Sequence, residues 1–208
     1  MSVVPAAAGL RQRKKERTRQ ELAGAALRLF VERGYEAVKV EDIAAAVDVS
    51  ERTFFRYFAS KEEVLWPDQD ERRQEFAAVL EARPRDESPL ECLRHAAIAS
   101  AESYEAQDGE MLARFRLLTQ TPALRGYLLG CLEGWEDVAT RALLKRIGSR
   151  RNGALRSRLL ACAAVAAFRV AVIAWVAGEG RRSLRTLAVH TLDSLASDLA
   201  EGAGTRQA

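Results

Sequence analysis

Apolar residues recur along most of the chain at the three- and four-residue spacing of α-helices, and strand-like alternation is nearly absent. Between Arg13 and Arg33 the apolar positions, from Leu22 to Phe30, fall on one helix face, and Gly34 follows where a helix commonly stops. Longer patterns of the same kind occur near residues 89–106, 110–120, 122–148, 154–177 and 183–200. The pattern predicts an all-α protein.

Two short apolar patterns follow Gly34. Residues 41–47 and 51–58 each predict a brief helix, and Asp48–Ser50 predicts a tight turn between them. With the longer helix before them, they predict a helix-turn-helix, in which the second short helix presents its outer face to the major groove of DNA. The predicted core of this unit comprises Leu22, Ala26, Phe30, Tyr35, Val40, Ile43, Ala44, Val47, Val49, Phe54 and Phe58.

Ser60 and Glu63 have the spacing of a capping box, which predicts that another helix opens at Ser60 and runs to about Ala82. Pro67 falls early in this helix and should bend or restart it. The predicted organisation is a disordered basic arm over residues 1–12, a helix-turn-helix domain over 13–60, a larger helical domain over 61–201 and a frayed tail over 202–208.

Charge is distributed unevenly, although the net charge is only +3. The first 20 residues contain six basic side chains and one acidic side chain. Cations at a helix N-terminus oppose the helix dipole, so helix stability does not explain them. Beside a helix-turn-helix, contact with DNA phosphates is favoured over a simple solvated charge run.

The stretch VEDIAAAVDVSERTFFRYFASKEEVL, residues 40–65, resembles the DNA-binding domain of the TetR (tetracycline-repressor) family. The likeness extends back through Leu29-Phe30 and Gly34-Tyr35 and covers roughly residues 14–65. The resemblance implies a homodimeric, ligand-responsive transcriptional regulator, usually a repressor. It also implies a larger C-terminal domain that binds a small molecule and dimerises through its last two long helices.

The resemblance implies base contacts from Arg52 and Thr53, and phosphate contacts from Phe55, Tyr57 and Lys61. An α-helix in the major groove can distinguish base edges with such side chains. The complete set of predicted DNA-binding residues is Arg11, Arg13, Lys14, Arg17, Lys39, Ser50, Glu51, Arg52, Thr53, Phe55, Arg56, Tyr57 and Lys61.

Three positions depart from the family pattern. Phe55 stands where tyrosine is common, so a phenolic contact to phosphate is lost. Lys39 stands where threonine is frequent, which removes a helix cap but adds a charge. Asp48 stands where glycine is common in the turn, and aspartate tolerates the left-handed conformation better than most residues.

Apolar and aromatic residues of the C-terminal half supply a candidate ligand pocket. Residues 52–58 and 119–124 also resemble a TetR subgroup associated with acyl-CoA-like ligands, so we expect a small apolar or amphipathic ligand. The same side chains at helical spacing are compatible with an ordinary core. The candidate pocket residues are Trp66, His95, Ile98, Met111, Phe115, Leu118, Tyr127, Leu128, Cys131, Trp135, Phe168, Arg169 and Trp175.

Arg169 has two interpretations within its Ala- and Val-rich helix. It is either a solvent-facing or interface residue paired with a carboxylate, or a buried cation that binds an anionic ligand. An unpaired buried charge is costly, so the second interpretation requires a partner.

The last two long helices are candidates for the dimer interface. Residues 154–177 are apolar nearly all round, and residues 183–200 carry a wide apolar face. Both suit a four-helix bundle between two copies, and the alternative is packing within one chain. The apolar face of the last helix comprises Leu184, Leu187, Ala188, Leu192, Leu195 and Leu199.

The remaining chemistry is sparse. Cys92, Cys131 and Cys162 are widely spaced, which indicates no disulfide framework and no metal site, and we expect no cofactor. Enzyme motifs such as a P-loop are absent from the sequence, so an enzyme has little support. The apolar stretch Leu159–Ala177 is interrupted by Arg169 and is interpreted as a buried helix rather than a membrane span. We expect a cytoplasmic protein with no membrane partner, free of a signal peptide.

We expect the partners to be a palindromic DNA operator, a second copy of the chain and the ligand. Ligand binding would move the helix that begins at Ser60 and thereby change the spacing of the two recognition helices. Two alternatives remain open: a nonspecific DNA-binding protein without ligand control, and a helical carrier of acyl groups or lipids.

Overall fold

The computed structural model describes residues 6–107, 109–148 and 152–204, with side chains described at 13–107, 109–148 and 152–197. The described residues contain nine α-helices and no strand, so the predicted all-α class is confirmed. The helices are α1 Ala6–Arg33, α2 Val40–Ala45, α3 Glu51–Phe55, α4 Gln69–Ala82, α5 Pro89–Glu105, α6 Glu110–Gln120, α7 Arg125–Ile147, α8 Gly153–Ala177 and α9 Leu184–Gly204.

Helices α1 to α3 share one small apolar core. The largest buried side chains at its centre are Phe30, Phe54 and Phe58, each no more than 2% exposed. Val40, Val47 and Val49 are partly buried against them, and the other predicted core residues are buried. The predicted core of the helix-turn-helix is therefore confirmed.

Helix α1 begins at Ala6, seven residues before the predicted start at Arg13. The prediction of a disordered arm is therefore wrong for residues 6–12, because the alanines at 6–8 are the best helix formers and let the helix begin there. Residues 1–5 and the side chain of Arg11 lie outside the described part. At the other end of the chain, α9 is described to Gly204, and residues 205–208 lie outside that part.

Two residues with positive φ shape the helix-turn-helix. Gly34 ends α1 at φ +82°, a conformation that glycine adopts without steric cost. Asp48 adopts φ +55° in the turn between α2 and α3, so aspartate holds the left-handed position expected of it. The amide N–H of Val49 then donates to the carbonyl of Ala44 at 3.0 Å, which closes the turn.

The predicted continuous helix from Ser60 to Ala82 is interrupted. A 3₁₀ turn spans Glu63–Leu65, and α4 begins only at Gln69, after Pro67. Proline cannot donate a backbone hydrogen bond and disfavours helical geometry in the residue before it. Trp66 accordingly has φ −136° and ψ 65°, outside the helical region.

Helices α4 to α9 form the larger unit, with α8 packed against both α7 and α9. A second 3₁₀ turn at Pro122–Leu124 precedes α7, so the helix predicted from residue 122 starts at Arg125. Glu105, at the end of α5, caps α9: its carboxylate accepts hydrogen bonds from the backbone N–H groups of Leu184 and Arg185. This cap satisfies donors that a helix N-terminus otherwise leaves free.

The apolar faces of α8 and α9 differ from the prediction. On α9, Leu184, Leu187, Ala188 and Leu192 are buried within the chain, so this face is not free for a second copy. Helix α8, expected to be buried, instead leaves one side uncovered. The exposed large apolar residues of that side, named the α8 stripe below, are Leu155, Leu159, Val170 and Ile173.

Helix α8 is long and apolar enough to cross a membrane by length and composition, and 33% of its apolar window is buried inside the fold. Core helices of soluble proteins meet the same criterion. Its packing between α7 and α9 is that of a structural helix of the larger unit.

Candidate DNA-binding surface and ligand cavity

The outer face of α3 is open. Ser50 caps the helix, because its Oγ accepts a hydrogen bond from the backbone N–H of Thr53 at 3.2 Å. The same Oγ lies 3.0 Å from the hydroxyl of Thr53. Glu51, Arg52 and Phe55 are exposed, so a short, firmly capped helix presents them outward.

The predicted cationic residues fall into two groups. Arg13, Lys14, Lys39 and Arg52 are exposed and form no ion pair within the described residues. Arg17 is exposed but pairs with Glu21 one turn along α1 at 2.8 Å. The first group is therefore free to meet phosphates or base edges without losing an existing ion pair.

Three predicted contact residues are engaged within the domain. Lys61 is half-buried. Its Nζ donates to the backbone carbonyl of Tyr35 at 2.5 Å and lies 3.9 Å from the centre of the Tyr35 ring. Partial burial lowers the pKa of Lys61. The guanidinium of Arg56 lies 5.2 Å from the ring centre of Tyr57, and this stacking holds both side chains beside the exposed face.

A cavity of about 360 Å³ lies in the larger unit, between two apolar clusters. One cluster joins the helix-turn-helix to α6 and α8, and it includes Trp66, Tyr104 and Val172. The other cluster lies between α4, α5, α7 and α8, and it includes Phe76 and Leu93. The five residues named here all line the cavity. The cavity has the size and apolar character of a small-molecule site.

The structure divides the predicted pocket residues. Those that line the cavity are Trp66, Phe115, Leu118, Leu128, Cys131, Trp135, Phe168 and Arg169. Those that lie elsewhere are His95, Ile98, Met111, Tyr127 and Trp175. Met111 and Trp175 are buried in the first cluster, and His95 lies beside Glu87, with its Nδ1 3.1 Å from the carboxylate. The structure does not bring these five residues into the cavity lining, so a role for them in ligand binding stays a prediction.

Several lining residues were not predicted. The unpredicted lining residues are Gln69, Phe76, Leu93, Ala97, Ser100, Tyr104, Thr119, Gln120, Leu132, Ala164, Val165, Val172, Ile173, Val176 and Ala177. Most of them are small or aliphatic and carry no chemical signal in the sequence. The helical register is the signal that could have found some of them, since Ala97, Ser100 and Tyr104 follow one face of α5 with Leu93.

Arg169 is exposed, so the interpretation as a buried cation is wrong. It nevertheless lines the cavity, together with exposed Gln120, Ile173 and Ala177. These four residues mark where the cavity meets the surface, beside the α8 stripe. A guanidinium at this opening can meet an anionic group without the desolvation cost of a buried charge.

Cys131 has an environment that keeps its thiol protonated. Burial raises the pKa of Cys131, although the amide of Gln69 and the hydroxyl of Tyr127 lie beside the sulfur. Burial also raises the pKa of Tyr127. A thiol that is not ionised is a poor nucleophile, so Cys131 acts as part of the cavity wall.

One buried arginine connects the two units. Arg114 of α6 is 4% exposed, and its guanidinium donates to the backbone carbonyl of Leu65, which ends the first 3₁₀ turn. The same guanidinium pairs with Glu110 one turn earlier on α6. Sequence reasoning missed this residue, because a single arginine in an amphipathic helix resembles any exposed cation.

Comparison with known proteins places the chain in a family. Residues 22–65 match the family model described as "Bacterial regulatory proteins, tetR family", and residues 87–200 match the "MftR C-terminal domain". The HTH-type transcriptional regulator TcmR of Streptomyces glaucescens is 37% identical over 205 residues, which cover 94% of this chain and 90% of that protein.

Solved structures share the fold. A TetR-family regulator from Syntrophomonas wolfei has a TM-score of 0.62 at 17% identity, covering 86% of this chain and 92% of that one. FadR from Bacillus subtilis, solved with stearoyl-CoA, has a TM-score of 0.54 at 21% identity, covering 84% and 95%.

The chain belongs to the TetR family and is a DNA-binding transcriptional regulator. Members of this family typically act as homodimers that a ligand releases from DNA. The resemblance inferred from residues 14–65 is therefore confirmed.

Proposed function

We propose that this protein is a homodimeric repressor that binds a palindromic operator and is released by a small apolar or amphipathic ligand. The observation that carries the proposal is the position of Trp66. This residue lines the cavity and also ends the turn that follows the helix-turn-helix, so a ligand in the cavity contacts the connection between the two units.

The exposed cations of the helix-turn-helix that form no ion pair within the described residues support the DNA-binding part of the proposal. Arg52 and Thr53 are proposed to read bases, and the cations at Arg13, Lys14 and Lys39 to meet phosphates. Lys61 is a weaker candidate than the sequence indicated, because its ammonium is already held by Tyr35.

The α8 stripe supports the proposed dimer. Leu155 and Leu159 are 70% and 66% exposed, and Val170 and Ile173 continue the same side of the helix. Exposed apolar side chains along one side of a helix are typical of an interaction site. We propose that α8, with the outer side of α9, meets the same helices of a second copy around a twofold axis. Sedimentation should give the mass of a dimer, and a monomer at micromolar concentration would contradict this part.

The ligand is proposed to be mainly apolar. An acyl-CoA-like ligand is one candidate, since FadR from Bacillus subtilis is solved with stearoyl-CoA and the cavity opening here carries Arg169. A bacterial regulator of this kind acts in the cytoplasm, and we propose that location and a regulatory rather than a catalytic role.

The test begins with selection of bound sites from random duplex DNA. The selected site should be palindromic, bound far more tightly than scrambled DNA, and released in a screen of apolar compounds. Equal and salt-sensitive binding to both DNAs would favour the nonspecific DNA-binding protein. Ligand binding without any DNA binding would favour the carrier.

Arg52→Ala tests the recognition surface. We expect it to weaken binding to the selected site by about 1–3 kcal/mol and to relax the preference at one base position. Arg116→Ala is the matched control, because Arg116 is an exposed arginine of α6 and not of the recognition helix α3. Unchanged affinity of the Arg52→Ala variant in a fluorescence-anisotropy titration would contradict the assignment.

A further inference from the structure

The cavity lining carries charge of one sign. Among the residues that the structure describes, Arg169 is the charged side chain of the lining, and no aspartate or glutamate lines the cavity. Two neutral polar groups of the wall are already engaged within the protein. The hydroxyl of Ser100 donates to the carbonyl of Ala96 at 3.0 Å. That of Thr119 donates to the carbonyl of Phe115 at 2.7 Å. The charge that a ligand meets in this cavity is therefore positive.

The segments that bear the opening contain no carboxylate. Residues 111–132 and the whole of α8, residues 153–177, include arginines but neither aspartate nor glutamate. Arg158 of α8 finds a carboxylate on the neighbouring helix, because it pairs with Glu136 at 3.1 Å. Arg169 forms no ion pair among the side chains that the structure describes. Its guanidinium is therefore available to an anion from outside the chain.

A second cation lies behind the cavity wall. The guanidinium of Arg73 is 3.5 Å from the backbone carbonyl of Cys131, a lining residue. Its carboxylate partner, Asp70, is exposed, and solvent screens such a pair. The buried arginines nearby, Arg72 and Arg114, are each paired with a carboxylate one turn away. Arg73 thus adds to the positive charge around the cavity, which favours an anionic ligand over a cationic one.

Desolvation decides where the anion of such a ligand lies. An anion deep among apolar side chains loses its hydration at a large cost. At the opening, Arg169 and Gln120 are exposed, so an anion there keeps part of its hydration and gains a cation. The rings of Phe115 and Phe168 belong to the apolar part of the lining. The ligand should therefore be oriented with its apolar end inside and its anionic end at the opening.

We propose that Arg169 binds the carboxylate of an anionic amphiphile whose apolar body fills the cavity. The guanidinium donates hydrogen bonds to the carboxylate oxygens, a geometry that arginine forms well. The aromatic rings of Phe76, Phe115 and Phe168 pack against the apolar body. This inference rests on the proposed function, since it names the ligand class of the same cavity.

Two pairs of probes test the charge of the ligand at constant shape. Decanoate is compared with decanamide, and cinnamate with cinnamamide, by equilibrium dialysis on the full chain at neutral pH. We expect each carboxylate to bind about three- to fivefold more tightly than its amide, the effect of an ion pair that remains open to solvent. The difference should shrink from about 0.01 M to about 1 M salt, because the Debye length falls from about 30 Å to about 3 Å. The pair that binds more tightly shows whether the body of the ligand is an alkyl chain or an aromatic ring.

Conservative variants locate the preference. Arg169→Gln keeps a polar side chain but removes the charge, and it should bind carboxylates and amides about equally. Arg156→Gln is the matched control, because Arg156 is exposed on the same helix, forms no ion pair among the described side chains and does not line the cavity. It lies about 20 Å along the helix from Arg169 at 1.5 Å per residue, beyond the Debye length of about 8 Å in physiological salt. Arg156→Gln should keep the preference, and far-ultraviolet circular dichroism verifies that each variant is folded.

The outcomes separate this inference from the proposed function. If the unmodified protein binds carboxylates and amides equally, the anionic subsite is wrong while the ligand cavity stands. The same holds if Arg169→Gln keeps the preference but weakens the dimer in sedimentation, because Arg169 then pairs with a carboxylate of the second copy. If none of the four probes binds, the cavity is not a site for apolar ligands, and both proposals fail.

Discussion

The helix-turn-helix has a filled core, whereas the larger helical unit contains a cavity. The first has helices of six and five residues around a core filled by Phe30, Phe54 and Phe58. The second has helices of 23 and 25 residues that surround a cavity of about 360 Å³. A filled core fixes the position of a recognition helix, while a hollow one allows a ligand to change the packing of its walls.

The two interiors meet at Trp66 and Leu65. Trp66 packs on Phe115 and Tyr104 at centroid distances of 5.1 and 6.2 Å, so the turn after the helix-turn-helix is part of the cavity wall. Leu65 is fully buried, and its carbonyl is held by Arg114. Substitutions should therefore destabilise the protein most in the filled core and less beside the cavity. Those at the junction should affect both units.

The largest expected effect comes from emptying the filled core. Phe54→Ala should destabilise the helix-turn-helix by about 3–5 kcal/mol, because no neighbouring space can take up the loss. Phe168→Ala removes a half-buried ring that already borders a cavity, so we expect a smaller loss of about 1–2 kcal/mol. Urea unfolding measures both, and equal losses would contradict the distinction between filled and hollow interiors.

The junction should show the next largest effect. Arg114→Met keeps an unbranched buried chain but leaves the carbonyl of Leu65 without its donor, which should cost about 1–3 kcal/mol. We expect lower thermal stability together with a changed affinity for the selected operator. Arg116→Met, two residues away and exposed, should change neither quantity. A stability loss with unaltered DNA affinity would show that Arg114 supports packing but does not connect the units.

Pro67→Ala tests the break between the units. Alanine permits a helix through residues 63–69, so we expect α4 to extend toward the helix-turn-helix and the coupling between ligand and DNA to change. The measurement is operator affinity with and without the compound found by the release screen. If both affinity and release match those of the unmodified protein, the proposed role of Pro67 in coupling is wrong.

The smallest effect concerns acid stability far from the DNA-binding surface. Arg83 donates two hydrogen bonds to Glu87, at 2.7 and 2.6 Å, and lowers the pKa of Glu87 to about 2. The pKa of Glu87 in the folded protein lies below its unfolded value of about 4.3. The Arg83–Glu87 pair therefore stabilises the folded state fully above about pH 4.3, and this stabilisation is lost as the pH falls toward 2. Glu87→Gln should therefore flatten the fall in Tm over this range in circular-dichroism melts. An unchanged Tm profile would show that the pair does not contribute.

Local sequence signals predicted the helix-turn-helix well for a physical reason. Helices α2 and α3 are short and the turn between them is tight, so the core residues of these two helices are near one another in sequence. Phe54 and Phe58 lie four residues apart on one face, and Ser50 and Asp48 are residue types suited to a cap and a left-handed turn. The predictions failed at the start of α1 and at the break before α4, where helix propensity and Pro67 decide the boundary.

The cavity was predicted less well, because it depends on how long helices rotate against one another. Trp175 and Phe168 lie seven residues apart on α8, yet Phe168 lines the cavity and Trp175 packs beside α6. The roles of Arg114 and Arg169 likewise depended on which side of a helix faced the interior.

The sequence by itself determined the all-helical class, the helix-turn-helix with its core, and the TetR family, because these depend on local spacing and on residue types with strong conformational preferences. The tertiary structure alone decided which apolar residues enclose the cavity, that the apolar face of α9 is buried within the chain, and that α8 carries the exposed stripe. These features depend on contacts between residues far apart in the chain, which local periodicity does not specify.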